Sequence, residues 1–128
     1  MTPLTRRDAE RQVRSWGFSH VYTWTDTPNS HYSPHSHLGL TTHLVLSGEF
    51  TVTYTEDDPN RKETFWPGAR IDVPAEKVHE VWIGEAGCTY VIGEQVIGEI
   101  LNVEGIITCA EHFFMPPSSD AEFRSSKL

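Results

Sequence analysis

The chain has 128 residues, enough for one domain with its own core but not for two. Its 18 acidic residues outnumber 10 basic ones and give a formal charge of −8, which excludes a general binder of nucleic-acid backbones. There is no apolar run of roughly 18 residues and no apolar signal region at the start, so no membrane partner is expected. Cys88 and Cys109 are isolated, which indicates a buried thiol and a loop thiol in a reducing compartment.

The first predicted element is a short helix over residues 5–17. Thr5 can cap it, Ala9 and Val13 fall at helical spacing, and Gly17 ends it. The apolar stripe is expected to pack against the rest of the domain.

After the helix the pattern changes to period two and short apolar runs separated by turns. The predicted strands are residues 18–24, 43–55, 62–66, 70–73, 79–83 and 88–92. The last two are expected to form a hairpin around residues 84–87, where two glycines lie. Many short strands with Gly and Pro turns predict an all-β sandwich or barrel.

The chain is therefore divided into four segments: an N-terminal helical segment (1–17), a barrel (18–94), an extension without a clear pattern (95–115) and a flexible tail (116–128). The extension could add one or two strands or an amphipathic turn. Neither alternative is favoured by the sequence.

Histidines are concentrated in one stretch. His31, His35, His37 and His43 lie within residues 31–43, and His79 follows on a later apolar strand. On extended backbone His35 and His37 would point to the same side. Because neutral imidazole is the commonest protein ligand for transition metals, the pair would make half of a metal site.

Two segments together resemble the paired signature of the cupins. The first is His35-x-His37 followed by the stretch TTHLVLSGEF, and the second is Gly68-x5-Pro74-x4-His79. The cupin pattern also has a Glu four or five residues after its HxH pair and a second glycine before its last histidine. Thr41 or Thr42 stands in place of that carboxylate, and Glu76 in place of that glycine. The similarity covers residues 18–94.

The resemblance implies an all-β double-stranded β-helix, the cupin jelly-roll barrel, behind a short N-terminal helix. It implies that His35, His37 and His79 hold one divalent transition metal, with Fe(II) preferred and Zn, Ni, Mn or Cu as alternatives. Cupins with three histidines and no Glu include thiol and β-diketone dioxygenases, so the implied activity is oxidation of an anionic, chelating small molecule. The alternatives are a metal-free or Zn-holding ligand-binding barrel, and a non-redox isomerase or decarboxylase.

His43 shares the face of Thr41 if the strand is regular, and three roles remain open for it: a fourth ligand, a catalytic base near the metal, or a lining residue. Arg70 could anchor a carboxylate or face solvent, and Glu80 should point away from His79. Five aromatic residues are candidates for the barrel wall: Trp24, Tyr54, Trp66, Trp82 and Tyr90.

Beyond a small-molecule substrate, two partners are expected. Exposed edge strands make a homodimer plausible. The final Ser126, Lys127 and Leu128 match the signal read by the peroxisomal import receptor. Peroxisomes are therefore the expected location, and the cytoplasm is expected where no such import occurs.

Overall fold

The computed structural model describes residues 4–95. The predicted extension, the tail with its Ser126–Leu128 signal, Cys109 and His112 all lie outside this part. Helix α1 (Arg6–Ser15) is followed by six strands: β1 (His20–Asp26), β2 (His31–His35), β3 (Thr41–Thr53), β4 (Glu63–Phe65), β5 (Arg70–Val73) and β6 (His79–Glu94). In this part of the chain no helix is long and apolar enough to cross a membrane.

All strand pairings are antiparallel, in the order β1-β6-β3-β4, with β2 also paired to β6 and β5 to β3. The barrel has two halves, and each of the two long strands, β3 and β6, contributes residues to both. The "β1 half" contains β1, β5 and the paired residues 41–48 and 88–94, and the "β2 half" contains β2, β4 and the paired residues 50–53 and 79–83. This confirms the predicted all-β jelly-roll architecture.

The core lies between the two halves. It combines side chains of the β1 half, such as Val45, Ile71 and Ile92, with side chains of the β2 half, such as Phe50 and Val81. Each comes from alternate positions of its strand, because successive side chains on a strand point to opposite faces.

Helix α1 covers the outer face of the β1 half. Thr5 caps it by accepting a hydrogen bond from the Asp8 amide at 3.0 Å, and Ala9 and Val13 are fully buried. A Cβ atom on Gly93 would lie 2.7 Å from Val13, so the strand approaches the helix at a residue without a side chain. The predicted helix and its packing role are confirmed.

The predicted hairpin of residues 79–83 and 88–92 is wrong. Both segments pair with β3 in the same direction and belong to the single strand β6. The register passes from Phe50↔Ile83 to Gly48↔Cys88, so extra residues of β6 bulge out between these pairs. Gly48 has φ 83°, and a Cβ atom there would lie 2.0 Å from the carbonyl oxygen of Gly87. The glycines allow two bent strands to approach each other closely, and they do not form a turn.

The aromatic residues divide between core and surface. Tyr90 is buried, and Trp24 and Tyr54 pack against the core, as predicted. Trp66 is 56% exposed. Trp82 lies on the outer face of β6, stacked on His31 and under the Lys62 ammonium. The prediction that Trp66 and Trp82 line the barrel is therefore wrong: Trp66 adjoins a turn, and Trp82 alternates with the inward-facing Val81 and Ile83.

Candidate metal centre in the barrel

Three of the predicted histidines meet at one end of the barrel. His35 ends β2 and is paired with His79, which begins β6, and His37 follows just after β2. One ring nitrogen of each lies within 4.8 Å of those of the other two. The ring centres of His35 and His79 are 4.3 Å apart, and those of His37 and His79 are 5.4 Å apart. The group of His35, His37 and His79, called the histidine cluster below, could hold a metal ion.

Backbone carbonyls orient two members of the cluster. The Nδ1–H of His35 donates to the Ser33 carbonyl at 2.6 Å, and that of His79 donates to the Lys77 carbonyl at 2.9 Å. Since a carbonyl oxygen can only accept, the proton lies on Nδ1 and the lone pair on Nε2. A metal-binding imidazole commonly has its other nitrogen held in this way. Within residues 4–95, His79 Nε2 is buried and accepts no hydrogen bond.

The cluster favours neutral imidazoles. Burial lowers the pKa of His79 well below its usual range, and the neighbouring His35 and His37 lower it further. The neutral form is the one that binds a metal ion, because it keeps a free lone pair. The donor set and the orientation of its nitrogens therefore fit a divalent transition metal.

A turn between β5 and β6 holds the backbone of His37 by a hydrogen bond. The Glu76 amide donates to the His37 carbonyl at 2.6 Å, and Glu76 has φ 61°, in the left-handed region that favours glycine. Glu76 stands where the cupin pattern has its second glycine, so the backbone conformation of that pattern is kept although the residue is not.

Replacing Glu76 by Gly is expected to raise the free energy of unfolding by about 1 kcal/mol, because a side chain in this conformation costs about that much. Glu76→Ala, which keeps a Cβ atom, should give no such gain. Urea unfolding of the two variants beside the wild type measures the difference. Equal midpoints for Glu76→Gly and Glu76→Ala would contradict the account of the turn.

The structure selects between the two threonines at the position of the absent carboxylate. Thr42 points outward, where its hydroxyl donates to Asp72 at 2.6 Å and its methyl group lies beside Gly93. Thr41 is 1% exposed and points inward, and its Oγ1 is buried without a hydrogen-bond partner among residues 4–95. Thr41 is therefore the threonine that faces inward at the place of the carboxylate in the cupin pattern.

His43 lies on the same inward face as Thr41. It is fully buried, its Nδ1–H donates to the Ile71 carbonyl at 3.3 Å, and its ring contacts Phe50 and Tyr90. Burial, together with the interaction with His35, lowers its pKa to about 4. Its Nε2 accepts no hydrogen bond from the described part of the chain. His43 is thus a neutral imidazole close to the cluster but not a member of it.

The metal-free protein is expected to lose stability as the pH falls from 7 to 5. The unfolded chain binds a proton at His43 near pH 6.5 but the folded chain only near pH 4, so protonation favours unfolding. His43 alone should contribute a loss of about 2 kcal/mol over this range. The difference between the urea midpoints at pH 7 and pH 5 should be smaller for His43→Phe than for the wild type. An identical pH dependence would refute the buried, neutral state of His43.

The other predicted polar residues lie outside the cluster. His31 bonds to Glu80 at 2.6 Å on the outer face, which confirms that Glu80 points away from His79. Arg70 pairs with Asp72 at 2.9 Å and stacks on Trp16, so it faces the helix side and not the barrel interior. Of the two alternatives left open for Arg70, the outward-facing one therefore holds and the carboxylate anchor does not.

Two buried carboxylates were not predicted. Asp26 ends β1 with its side chain in the core, and Glu94 ends β6 at 2% exposure. Alternation from Cys88 through Tyr90 and Ile92 would have placed Glu94 on the inward face.

Comparison with known proteins identifies the fold. The sequence matches no protein-family model and no curated protein sequence. The cupin domain of Cnp3 from Schizosaccharomyces pombe has a TM-score of 0.56 at 10% identity, covering 69% of this chain and 63% of that one. A Rhizobium leguminosarum protein of unknown function has a TM-score of 0.54 at 17% identity, covering 74% of this chain and 96% of that one.

The polyketide cyclase RemF from Streptomyces resistomycificus has a TM-score of 0.51 at 22% identity, over 58% of this chain and 52% of that one. The chain thus spans less than two thirds of the length of two of these three proteins. At these identities the likeness concerns the fold. It agrees with the strand order: the chain has the fold of a small cupin domain.

Proposed function

We propose that the barrel binds one divalent transition metal through His35, His37 and His79 and oxidises a small anionic molecule with O2. The observation that carries this proposal is the histidine cluster, in which carbonyls hold Nδ1 and leave Nε2 facing inward at His79. Fe(II) is the preferred ion because imidazole suits it and because it supports redox chemistry, whereas Zn, Ni, Mn and Cu are alternatives that the same ligands accept.

The charge of the site favours an anionic substrate. Three neutral imidazoles bring no charge, and Thr41 replaces a carboxylate, so a bound ion would keep its formal charge of about +2. An enolate, thiolate or carboxylate would supply the missing negative charge. A bound Fe(II) would supply Lewis acidity and electrons for O2.

The chain's own residues would orient the substrate and handle its proton. His43 Nε2 is a neutral acceptor in a dry environment formed by Phe50 and Tyr90, and we assign it the role of taking a proton from the substrate. Thr41 Oγ1 is a buried hydroxyl oxygen on the same face and would hydrogen-bond the substrate. The low exposure of both residues keeps bulk water away.

Neighbours with the same fold include enzymes that act on small molecules. RemF is a polyketide cyclase, and DddQ from Ruegeria pomeroyi, with a TM-score of 0.51, is a lyase for DMSP. These activities belong to those proteins, but they are compatible with small-molecule chemistry in this barrel. The absent carboxylate favours a second candidate, a barrel that holds Zn or no metal and binds a small ligand without redox chemistry.

Oxygen consumption tests the proposal. Protein reconstituted anaerobically with Fe(II) would be mixed with aerated β-diketones, thiols and phenolic acids, beside His79→Ala treated in the same way. Consumption of O2 that needs both one of these compounds and His79 is the expected result. Full metal occupancy without O2 consumption for any of them would favour the non-redox candidate.

A further inference from the structure

A buried carboxylate at the end of β1, that of Asp26, is shared by three aromatic side chains. Its Oδ1 accepts hydrogen bonds from the Tyr32 hydroxyl and the Trp24 indole, and its Oδ2 accepts one from the Tyr90 hydroxyl. Because both oxygens accept, the group is an ionised carboxylate that can still take up a proton. The core therefore holds a proton acceptor in direct contact with two phenols.

One of these phenols lies beside the histidine cluster. Tyr32 and His35 belong to the same strand, β2, and their ring centres are 6.3 Å apart. The ring of Tyr90 instead contacts His43, which is not a member of the cluster, at 5.8 Å between centres. A short path therefore runs from the Asp26 carboxylate through the Tyr32 ring to a ligand of the proposed metal ion.

The bond between Tyr32 and Asp26 suits the loss of an electron from the phenol. Tyrosine is among the side chains that are most readily oxidised by one electron, and a phenol that has lost an electron is a strong acid. The proton therefore has to leave with the electron, which requires an acceptor at hydrogen-bond distance. The Tyr32 hydroxyl has this acceptor at 2.5 Å, the length of a strong bond between a hydroxyl group and a carboxylate.

We propose that Tyr32 is a redox-active residue that gives one electron to the metal centre when a hydroperoxide is reduced there without a bound substrate. In this step the O–H bond of Tyr32 breaks. The electron passes by way of the His35 ring to the centre, the proton passes to Asp26, and a neutral phenoxyl radical remains. The inference rests on the proposed function, because it requires a redox-active metal at the three histidines.

The step is balanced with H2O2 as the oxidant. Its reduction to two molecules of water takes two electrons and two protons. One electron comes from the change of Fe(II) to Fe(III) and the other from Tyr32, and both protons come from the solvent. A small one-electron reductant such as ascorbate then restores the phenol, with Asp26 returning the proton. Oxidation is thereby directed to one phenol and away from the metal-binding histidines.

Electron paramagnetic resonance of the Fe(II)-loaded protein tests this role. Protein reconstituted and desalted without oxygen would be mixed with equimolar H2O2 in the absence of substrate and then frozen. We expect a tyrosyl radical in the wild type, identified by the narrowing of its signal when the protein contains ring-deuterated tyrosine. Tyr32→Phe should lose the signal while its iron content stays equal to that of the wild type. Asp26→Asn keeps the phenol but removes the carboxylate, so its signal should be weaker.

Tyr22→Phe is the matched control. The Tyr22 hydroxyl also donates to a buried carboxylate, that of Glu94, at 3.1 Å, but its ring contacts His20 and not the cluster, so this variant should keep the signal.

The possible failures can be told apart. Iron that is bound and oxidised without forming a tyrosyl radical in the wild type would overturn the role of Tyr32 and leave the metal centre intact. A signal that survives Tyr32→Phe would do the same, and an undiminished signal in Asp26→Asn would overturn proton transfer to Asp26. A wild type that binds no iron would refute the metal centre of the proposed function and the electron donor with it.

Discussion

Replacing Asp26 by Ala is expected to lower the free energy of unfolding by at least about 3 kcal/mol. Asp26 is 5% exposed, and its carboxylate accepts three hydrogen bonds from core side chains. Tyr32 and Trp24 donate to Oδ1 at 2.5 and 2.9 Å, and Tyr90 donates to Oδ2 at 2.6 Å. Without the carboxylate, the buried Tyr32 and Tyr90 hydroxyls and the part-buried Trp24 indole would lose this acceptor, and such losses are costly in a dry core.

Urea unfolding at pH 7 measures this effect. Asp26→Asn keeps the shape of the side chain but loses the charge and one acceptor. Its free energy of unfolding should therefore lie between those of the wild type and Asp26→Ala. Glu85→Ala, at an exposed position of β6, is the matched control and should change stability by less than about 0.5 kcal/mol. A loss below about 1 kcal/mol for Asp26→Ala would contradict the view that this carboxylate joins β1, β2 and β6 in the core.

Replacing His43 by Phe is expected to lower kcat at least about 100-fold and to leave metal content unchanged. Phe fits the space beside Phe50 and Tyr90 but offers no acceptor at the position of Nε2. The measurement uses the substrate that the O2 screen identifies, with metal content determined on the same sample. Leu44→Val, which alters a buried residue of β3 that packs under helix α1 and not in the barrel interior, is the control for changes in packing.

The three roles left open for His43 give different results. If His43 is a fourth ligand, its substitution should remove the metal. If it is a proton acceptor, turnover should fall while the metal is retained. If it is a lining residue, neither should change. Our assignment requires the second result, and either of the others would contradict it.

The histidine cluster and the strands other than β2 and the continuous β6 could be predicted because local signals and the overall fold agree. Alternating apolar residues and Gly or Pro turns locate β5 to the residue and β3 within two residues at each end. His35, His37 and His79 follow from the cupin spacing, and the structure brings them together.

The failures have a common physical cause. Glycine has the same sequence signature whether it permits a turn or a close approach of two strands, so Gly84 and Gly87 were interpreted as a hairpin although β6 continues through them. Only the contact of Gly48 with Gly87 distinguishes the two cases. That contact joins distant parts of the chain, so a local pattern does not contain it.

Charged and aromatic residues near strand ends were equally ambiguous. Asp26 and Glu94 are buried because neighbouring strands provide donors, and Trp82 is outside because His31 and Lys62 cover it there. Choosing between Thr41 and Thr42 likewise needed the strand register, since a shift by one residue exchanges the two faces.

The metal content of the purified protein tests the central claim most directly. Tag-free wild type, His79→Ala and His31→Ala would be reconstituted with Fe(II) without oxygen, desalted and analysed by elemental mass spectrometry. His31 is an outer-face histidine bonded to Glu80 and controls for nonspecific binding. We expect about one metal ion per chain in the wild type and in His31→Ala, and none in His79→Ala. Wild type that retains no metal, or equal metal in all three proteins, would contradict a metal centre at His35, His37 and His79.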